Sequence, residues 1–289
     1  MMNTVIETAL REAGDDTKPA TVKKSHGGSI NESYFVETGQ QKYFIKYHPN
    51  APERFFELEA KGLERIKQTN SISVPDVMAY SDDKGSAYLV LEWVEGSKTA
   101  QTESMLGDRI ARMHQAVGEQ HGFSDDTFIG VLPQPNGLFN SWVEYYRDRR
   151  LAAQLKQGIN QKSITGKRRD RLEKLINDLD KWIPIDAAPS YLHGDLWGGN
   201  WLVGAGGIPY VIDPSFLYGD RHFELAFTEL FGGYSADFYQ AYKERFPLMP
   251  DYEDVKPLYQ LYYLLVHLNI FGEMYGGAVD SVLKQYVGK

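Results

Sequence analysis

The chain has 289 residues, of which 42% are apolar and 24% are charged, proportions typical of a folded globular protein rather than a disordered or fibrous one. It carries 31 Lys and Arg against 39 Asp and Glu, and the net charge of −8 argues against broad binding of nucleic acid or of an anionic membrane. It contains no cysteine, which excludes disulfides, thiolate metal sites and a catalytic thiol.

The first residues and the apolar stretches do not match the patterns of an export signal or a membrane span. Residues 1–14 lack the basic start and unbroken apolar run of a secretory signal. The longest apolar-rich stretch, 258–272, is shorter than the roughly 20 residues of a membrane span and contains Gln260, His267 and Asn269. We therefore expect a cytoplasmic protein, a monomer, with no membrane or nucleic-acid partner.

The first hundred residues predict a small β-rich unit. Residues 3–13 can form a short amphipathic helix, and apolar residues at helical spacing predict a second helix over 53–68. Runs rich in β-branched and aromatic residues, three of them joined by glycine turns, predict five strands: 20–25, 31–38, 41–48, 75–81 and 86–95. The first three strands are expected to form an antiparallel meander.

The remainder of the chain is mainly helical by pattern. One apolar face, Leu106, Ile110, Met113 and Val117, predicts the first helix. Further helices are expected at 140–156, at 166–183 and over 222–287, the last with breaks at Pro247, Pro250 and Gly276–Gly277, whereas 120–139 reads as a connector and 190–215 as a short β-type island.

Together these elements predict an α+β fold of two lobes. The smaller lobe, an antiparallel sheet with one inserted helix, is expected at 1–94, and the larger, mainly helical lobe at 95–289. The cleft between two such lobes is a common place for a ligand.

The segment HGDLWGGN at 193–200 is the most informative motif. It places a carboxylate at Asp195 and an amide at Asn200 in one glycine-containing loop, and Asp213 follows at the end of an apolar strand. Phosphoryl transfer needs such a set, in which one carboxylate takes the proton of the acceptor hydroxyl while an amide oxygen and a second carboxylate hold magnesium. The motif therefore predicts Asp195 as the base and Asn200 and Asp213 as Mg²⁺ ligands.

The first lobe supplies groups that could hold ATP. The tight turn with Gly27, Gly28 and Ser29 could bring backbone N–H groups to phosphate. Lys46, a cation in an apolar strand, needs a carboxylate partner, for which Glu59 on the next helix is the natural candidate and Glu57 a competitor. At the junction between the lobes, Glu92, Trp93 and Val94 could offer backbone groups to adenine.

Each of these signals taken alone also has a structural explanation. A lone Gly-Gly between strands is usually only a hairpin turn, and a lone strand lysine usually points to solvent. Asp195 could merely cap backbone amides, and His193 is expected to hold the loop rather than transfer a proton. The order of the signals along the chain favours a kinase with a bilobal protein-kinase-like fold, in which the lobe at 1–94 binds the nucleotide and the lobe at 95–289 carries the catalytic loop and the substrate site.

The chain resembles the fructosamine kinase (ketosamine 3-kinase) family, a branch of the aminoglycoside-phosphotransferase and protein-kinase-like superfamily. The resemblance covers nearly the whole chain and is carried by these segments: GGSIN at 27–31, YFIKYH at 43–48, FELEAKGL at 56–63, GFSDDTFIGVLPQPNG at 122–137, HGDLWGGN at 193–200 and YGDRHFELAFTELFGGY at 218–234. It implies ATP- and Mg²⁺-dependent phosphorylation of the 3-hydroxyl of a ketosamine, a glycation product on a free amine or on a protein lysine.

The resemblance also implies that Trp197, next to the proposed base, faces the sugar. Asp220 follows Asp213 closely and is expected to pair with Arg221 or to cap the following helix, with contact to substrate as the alternative. The protein-kinase G-x-G-x-x-G loop is absent, and IDPS stands where that family has a Phe-containing metal motif, so control by a phosphorylated activation loop is not expected.

Other functions stay open on the sequence alone. A kinase of another small alcohol, such as an aminoglycoside, choline or a simple sugar, would need the same catalytic set, and a catalytically silent nucleotide-binding protein could retain part of it. The basic segment 147–174 contains ten Lys or Arg and is either a solvated helical face or a surface that receives an anionic or protein substrate.

Overall fold

The smaller lobe is built on a five-stranded antiparallel sheet. The computed structural model describes residues 2–25 and 31–288, in which helix α1 (Met2–Glu12) precedes the sheet and α2 (Phe55–Gln68) follows its third strand. The strands are β1 (Thr21–Ser25), β2 (Glu32–Glu37), β3 (Lys42–His48), β4 (Val77–Ser81) and β5 (Ala87–Glu92), in the spatial order β1-β2-β3-β5-β4.

Alternation along the central strands gives the sheet two differently covered faces. Tyr43 and Ile45 of β3 face α1 and form one core with it, whereas Leu89 and Leu91 of β5 pack in the core that includes α2. Lys46 follows Ile45 in β3 and pairs with Leu89 of β5. Because successive side chains of a strand point to opposite faces of the sheet, the side chain of Lys46 lies on the α2 face.

Helix α2 is anchored to the sheet at its N-terminus. The first N–H groups of a helix have no partner within the helix. Here the carboxylate of Asp82, just after β4, accepts from Phe56 N at 2.8 Å and from Glu57 N at 3.0 Å. This cap holds α2 beside β3, the position from which Glu59 of α2 reaches Lys46.

The larger lobe packs its helices around an aromatic core in which Trp142, Tyr146, Phe223 and Tyr259 are buried. Its helices are α3 (Thr102–Gln115), α4 (Trp142–Tyr145), α5 (Ala152–Gln161), α6 (Gly166–Asn177), α7 (Arg221–Leu230), α8 (Ala236–Arg245), α9 (Tyr252–Phe271) and α10 (Gly276–Val287), with a π-helical stretch at Tyr146–Leu151.

Short strands complete this lobe. The pair β11 (Trp201–Val203) and β12 (Pro209–Val211) follows the HGD loop, and a four-stranded sheet combines β10 (Ser190–Leu192), β13 (Leu217–Gly219), β6 (His121–Phe123) and β9 (Gly137–Phe139). A further pair is formed by β7 (Thr127–Ile129) and β8 (Leu132–Gln134). Residues 120–139 are thus four short strands rather than a simple connector.

The α+β bilobal fold is confirmed, whereas several element boundaries in the larger lobe are wrong. Helix α10 begins at Gly276, and the break lies at Gly272, whose φ of 82° is a backbone conformation that glycine adopts readily. Helix α3 ends at Gln115, which leaves Val117 outside it and 57% exposed rather than on its apolar face. The predicted division at residue 94 falls in the connection from β5 to α3 and stays a prediction.

One hydrophobic core spans both lobes. Leu63 and Ile66 of α2 are buried in the same cluster as Leu106 and Ile110 of α3 and Val211 of β12. Beside this cluster, Val211 N donates to Ser73 O at 3.0 Å, a direct backbone link between the lobes. No helix within the described ranges is long and apolar enough to cross a membrane.

Candidate active site

The catalytic loop begins at the end of β10 and turns sharply at Gly194. The φ of Gly194 is 86°, and a Cβ there would lie 1.9 Å from Ser215 O, so only glycine fits this close approach. The turn directs Asp195 into the cleft between the lobes, where its carboxylate is partly accessible. The structure therefore places the proposed base at the cleft wall.

Asn200 and Asp213 lie beside Asp195, as the motif predicts. The amide nitrogen of Asn200 donates to Asp195 O at 2.8 Å and to its Oδ2 at 3.0 Å, which leaves the amide oxygen Oδ1 free of these bonds. Asp213 follows β12 in a left-handed conformation, with φ 57°, which is uncommon outside glycine but tolerated by Asp. All three side chains line the same cleft.

Lys46 joins the two lobes through its side chain. Its Nζ lies 2.7 Å from Glu59 Oε1 and 2.5 Å from Asp213 Oδ1, and the residue is only 3% exposed. Burial alone would lower the pKa of Lys46, but the charges of Asp213 and Glu59 outweigh it and raise that pKa. Glu57, the competing partner, pairs instead with Arg54.

Burial has the opposite consequence for the carboxylates of the cleft. It raises the pKa of Asp195 to about 8, the negative charge of Asp213 adds to the shift, and the hydrogen bond from Asn200 opposes it. Burial also raises the pKa of Glu59, against the attraction of Lys46. Three carboxylates share one lysine here, so their full ionisation is disfavoured until a further cation binds.

The donor set fits a magnesium ion that is shared with a nucleotide. Within the described part of the chain, no group of three or more His, Cys, Asp or Glu could hold a metal by protein ligands alone. Asn200 and Asp213 offer two oxygen ligands, and Mg²⁺ commonly takes one or two protein carboxylates and completes its shell with phosphate oxygens and water. Because three carboxylates share one lysine, the site also favours a cation.

The cleft has a volume of about 560 Å³ and continues well beyond the catalytic groups. Trp197 lines it and is 45% exposed, a position that suits the predicted contact with a sugar. Asn31 also lines it, and its Oδ1 is buried with no hydrogen-bond partner among the described residues. Gly27, Gly28 and Ser29 lie outside the described residues.

The predicted adenine contacts do not lie in this cleft. Glu92 ends β5 and exchanges hydrogen bonds with Asp76, through Glu92 N at 2.9 Å and Glu92 Oε2 at 3.3 Å. Trp93 packs edge-on against Phe35, with ring centroids 4.7 Å apart. The role of Glu92, Trp93 and Val94 in binding adenine stays a prediction.

Asp220 is enclosed in the larger lobe, and the geometry does not bring it to the cleft. The residue is 4% exposed, and its carboxylate caps α7 through His222 N at 2.9 Å and accepts from Tyr259 Oη at 2.6 Å. These bonds match the structural alternative for this residue and occupy the oxygens that a substrate would need.

The sequence analysis missed a buried support beneath the catalytic loop. Glu224 of α7, with no exposed surface, accepts from His193 N at 3.0 Å, Gly194 N at 2.5 Å and His114 Nε2 at 2.8 Å. These bonds lower the pKa of Glu224 although burial alone would raise it. The sequence around Glu224, FELA at 223–226, does not distinguish this support from ordinary core packing.

His193 completes this support, as the sequence predicts. Its Nε2 donates to Ile212 O at 2.7 Å, and its Nδ1 accepts from Asp195 N at 3.2 Å. Both ring nitrogens are engaged with backbone, and burial lowers the pKa of the imidazole. His193 therefore links the loop to the strand before Asp213 and does not face a reacting group.

A second missed feature is an ion-pair cluster that ties α2 to the larger lobe. Asp125 binds the guanidinium of Arg54 at 3.0 Å and also pairs with Lys61. Hydrogen bonds from Lys61, Ser124 and Arg54 lower the pKa of Asp125 to about 2, although burial opposes the shift. Because Glu59 lies on the same helix, this cluster helps to fix the carboxylate that holds Lys46.

The basic segment 147–174 does not form one surface. Arg150 is fully buried and donates to Pro135 O, whereas Arg168 binds Glu273 and Asp280. These internal contacts favour the structural interpretation over a receiving surface for an anionic substrate.

Comparison with known proteins gives a consistent result over the whole chain. A model of the family described as fructosamine kinase matches residues 1–289. A protein of Enterococcus faecium named a probable ketoamine kinase is 36% identical over 264 residues, which cover 90% of this chain and 93% of its own. The chloroplastic protein-ribulosamine 3-kinase of rice is 32% identical over 278 residues, covering 95% and 81% respectively.

Solved structures show the same relationship. A crystal structure of a fructosamine-3-kinase homologue from Thermobifida fusca is similar with a TM-score of 0.88 and 30% identity, and the match covers 98% of both chains. The aminoglycoside phosphotransferase APH(4)-Ia matches over 100% of both chains with a TM-score of 0.66 and 15% identity, which shows a shared fold.

Proposed function

Because this chain belongs to the fructosamine kinase family and is therefore an ATP-dependent kinase, we propose that it phosphorylates the 3-hydroxyl of ketosamines. The sugar would be ribulose, erythrulose or fructose joined to an amine, either free or as a protein lysine. Phosphorylation at this position would serve deglycation in the cytoplasm, carried out by a monomer.

One observation supports phosphoryl transfer, whereas the ketosamine as acceptor rests on the family to which the chain belongs. One cleft between the lobes is lined by all the groups that the transfer needs. They are a carboxylate that can act as a base, an amide and a second carboxylate that offer oxygen ligands, and a lysine that is held by two carboxylates. The residues are Asp195, Asn200, Asp213 and Lys46. A protein that only bound a nucleotide would have no need for a base next to the phosphate-binding groups, which argues against the catalytically silent alternative.

Each of these side chains has a defined task in the proposed reaction. Asp195 accepts the proton of the 3-hydroxyl as its oxygen attacks the γ-phosphorus and ADP leaves. Lys46, held in place by Glu59, binds the nucleotide phosphates, and Asn200 and Asp213 would hold the metal. When bound, Mg²⁺ supplies positive charge against the phosphoryl oxygens. Trp197 packs against the sugar and aligns it for transfer.

Turnover with a panel of acceptors tests the proposal. The pure protein with ATP and Mg²⁺ should phosphorylate ribulose-, erythrulose- or fructose-lysine and leave choline and kanamycin unchanged, as measured by ADP release and by mass of the product. Transfer to choline or kanamycin without transfer to any ketosamine would establish the alternative, a kinase of another small alcohol. ATP binding with no transfer to any acceptor would establish a silent binding protein.

A further inference from the structure

The part of the cleft away from the phosphate-binding groups is lined by aromatic rings. His267 lies at the centre of three of them, with its ring centroid 4.6 Å from Phe231, 5.0 Å from Tyr275 and 5.6 Å from Phe271. We call Phe231, His267, Phe271 and Tyr275 the outer aromatic cluster. All four line the same cleft as Asp195. His267 is half-buried on the cleft wall.

The outer aromatic cluster is continuous with the catalytic loop. Tyr263 donates from Oη to Gly194 O at 3.1 Å, next to the proposed base, and its ring stacks on Phe227 of the cleft wall at 3.5 Å. His267 and Phe271 follow at intervals of four residues on the same face of α9, each about 6 Å further along the helix. A ligand whose sugar reaches Asp195 would therefore extend past these rings.

Charge is missing from this wall. Among the described residues that line the cleft, the charged ones are Lys46, Glu59, Asp195 and Asp213, all of which belong to the catalytic end. The nearest ion pair to Tyr275 in sequence, Arg168 with Glu273, does not line the cleft. A carboxylate placed against the rings would lose water and gain no cation there.

The outer rings are unusually accessible for their size. Phe231 is 43% exposed and Phe271 is 56% exposed, and Val131 across the cleft is 59% exposed. Grouped exposed apolar side chains around a concave site commonly mark a binding surface. Their grouping at the open end of a catalytic cleft points to the part of the substrate that projects out of it.

His267 adds a polar group whose donor and acceptor nitrogens can be assigned. A carbonyl can only accept, so the contact of 2.8 Å between His267 Nδ1 and Tyr263 O places a proton on Nδ1. Burial lowers the pKa of the ring, so the neutral form is favoured and Nε2 is an acceptor. An acceptor among aromatic faces suits a protonated amine that carries an apolar group.

We propose that the outer aromatic cluster is the subsite for the amine arm of the ketosamine, and that it selects amines with an apolar substituent against amines with a carboxylate next to the nitrogen. This inference rests on the proposed function. Two carbon atoms of the ketosamine lie between its nitrogen and the carbon that bears the reacting hydroxyl. A ligand with this hydroxyl at Asp195 can therefore place the substituent of its nitrogen against the outer aromatic cluster. The protonated nitrogen donates to His267, and its substituent packs on Phe231 and Phe271.

Two ribulose adducts of equal shape test the selection. Isobutylamine and glycine carry the same number of non-hydrogen atoms, and they differ in that a branched apolar end replaces a carboxylate. Initial rates with ATP and Mg²⁺ should give a kcat/KM that is about tenfold or more higher for ribulosyl-isobutylamine, a free-energy difference of about 1.4 kcal/mol or more. Equal kcat/KM values for the two adducts would overturn the inference and leave the proposed function intact.

A charge placed in the cluster provides the second test. Phe271→Lys should lower kcat/KM for ribulosyl-isobutylamine and raise it for ribulosyl-glycine, so that the ratio of the two falls about tenfold. Ile185→Lys is the matched control, because Ile185 is 77% exposed and does not line the cleft, and its ratio should equal that of the wild type. Thermal unfolding of both variants checks that the fold is retained.

The outcomes separate the inference from the function beneath it. An unchanged ratio in Phe271→Lys, or an equal change in Ile185→Lys, would overturn the subsite while phosphorylation of ribulosyl-isobutylamine continued to support a ketosamine kinase. No transfer to either adduct, nor to ribulose-lysine, would overturn the proposed function and the inference together.

Discussion

Two carboxylates on opposite sides of the HGD loop show how differently one fold can treat the same chemical group. Asp195 faces the cleft, where partial burial and the charge of Asp213 raise its pKa to about 8. Glu224 faces the core beneath the same loop, where burial is outweighed by His114, His193 and Gly194, and its pKa is lowered. Neighbouring donors and charges therefore decide the direction of the shift, because burial alone would raise both pKa values.

The difference divides the loop into a reactive side and a supporting side. Three donors keep Glu224 ionised whatever the cleft contains, and it holds the backbone of His193 and Gly194 in place. Asp195 receives one amide group, from Asn200, and its charge state therefore depends on what binds beside Asp213. A buried carboxylate with few donors is a recognisable sign of a functional group.

Removing the reactive carboxylate should have the largest effect. Asp195→Asn keeps the shape of the side chain but cannot take the proton, so kcat for a ketosamine should fall about 10²–10⁴-fold. ATP affinity, measured by calorimetry, should stay within about threefold, because no phosphate contact is lost. Asp186→Asn, at an exposed position, is the control. A retained kcat in Asp195→Asn would place the base elsewhere.

Changing the supporting carboxylate should lower stability and kcat together. Glu224→Gln turns an acceptor oxygen into an NH₂ group that faces one of three donors, and a buried unpaired group costs about 1–3 kcal/mol in free energy of unfolding. Urea unfolding measures this loss, and steady-state rates should show a lower kcat because Asp195 is less well held. The exposed Glu244→Gln is the control. If Glu224→Gln matched Glu244→Gln in both measurements, the loop would not depend on this support.

The smallest effect is expected at Asp125, a supporting carboxylate between the lobes. Its pKa is about 2 in the folded protein, below the value near 3.9 of an unfolded chain. The carboxylate therefore stabilises the fold above about pH 4, and this contribution is lost as the pH falls toward 2. Because its partners are partly exposed, Asp125→Asn should cost only about 1 kcal/mol at pH 7.

Unfolding of wild type and Asp125→Asn at several pH values tests this interpretation. The difference in free energy of unfolding between the two should be largest near neutral pH and shrink below pH 4. A difference that stayed constant down to pH 2.5 would mean that the ion pairs with Arg54 and Lys61 contribute nothing. A raised KM for ATP in the variant would show that the cluster also fixes Glu59 on α2.

Much of this protein could be predicted from short-range pattern. Alternation predicted β2, β3 and β5 to within two or three residues at each end, because side chains in a half-buried strand must alternate. The spacing of Asp195, Asn200 and Asp213 predicted a shared site, since a tight loop and a following strand leave few ways to separate them. The cost of burying an unpaired ammonium predicted that Lys46 needs a carboxylate partner, and the structure shows that Glu59 rather than Glu57 provides it.

Only the tertiary structure decided which groups meet across long distances in the chain. Glu224 lies 30 residues from Gly194, Asp125 lies 71 from Arg54, and no local periodicity encodes either pair. The same holds for Asp220, whose carboxylate binds His222 N and Tyr259 Oη, and for His267, which contacts Phe231 and Tyr275 on the cleft wall. The sequence by itself determined the fold class and the grouping of Asp195, Asn200 and Asp213, because these three lie close together in the chain, whereas the contact between Lys46 and Asp213 spans 167 residues. Packing alone determined how the catalytic set is supported and what lies beyond it in the cleft.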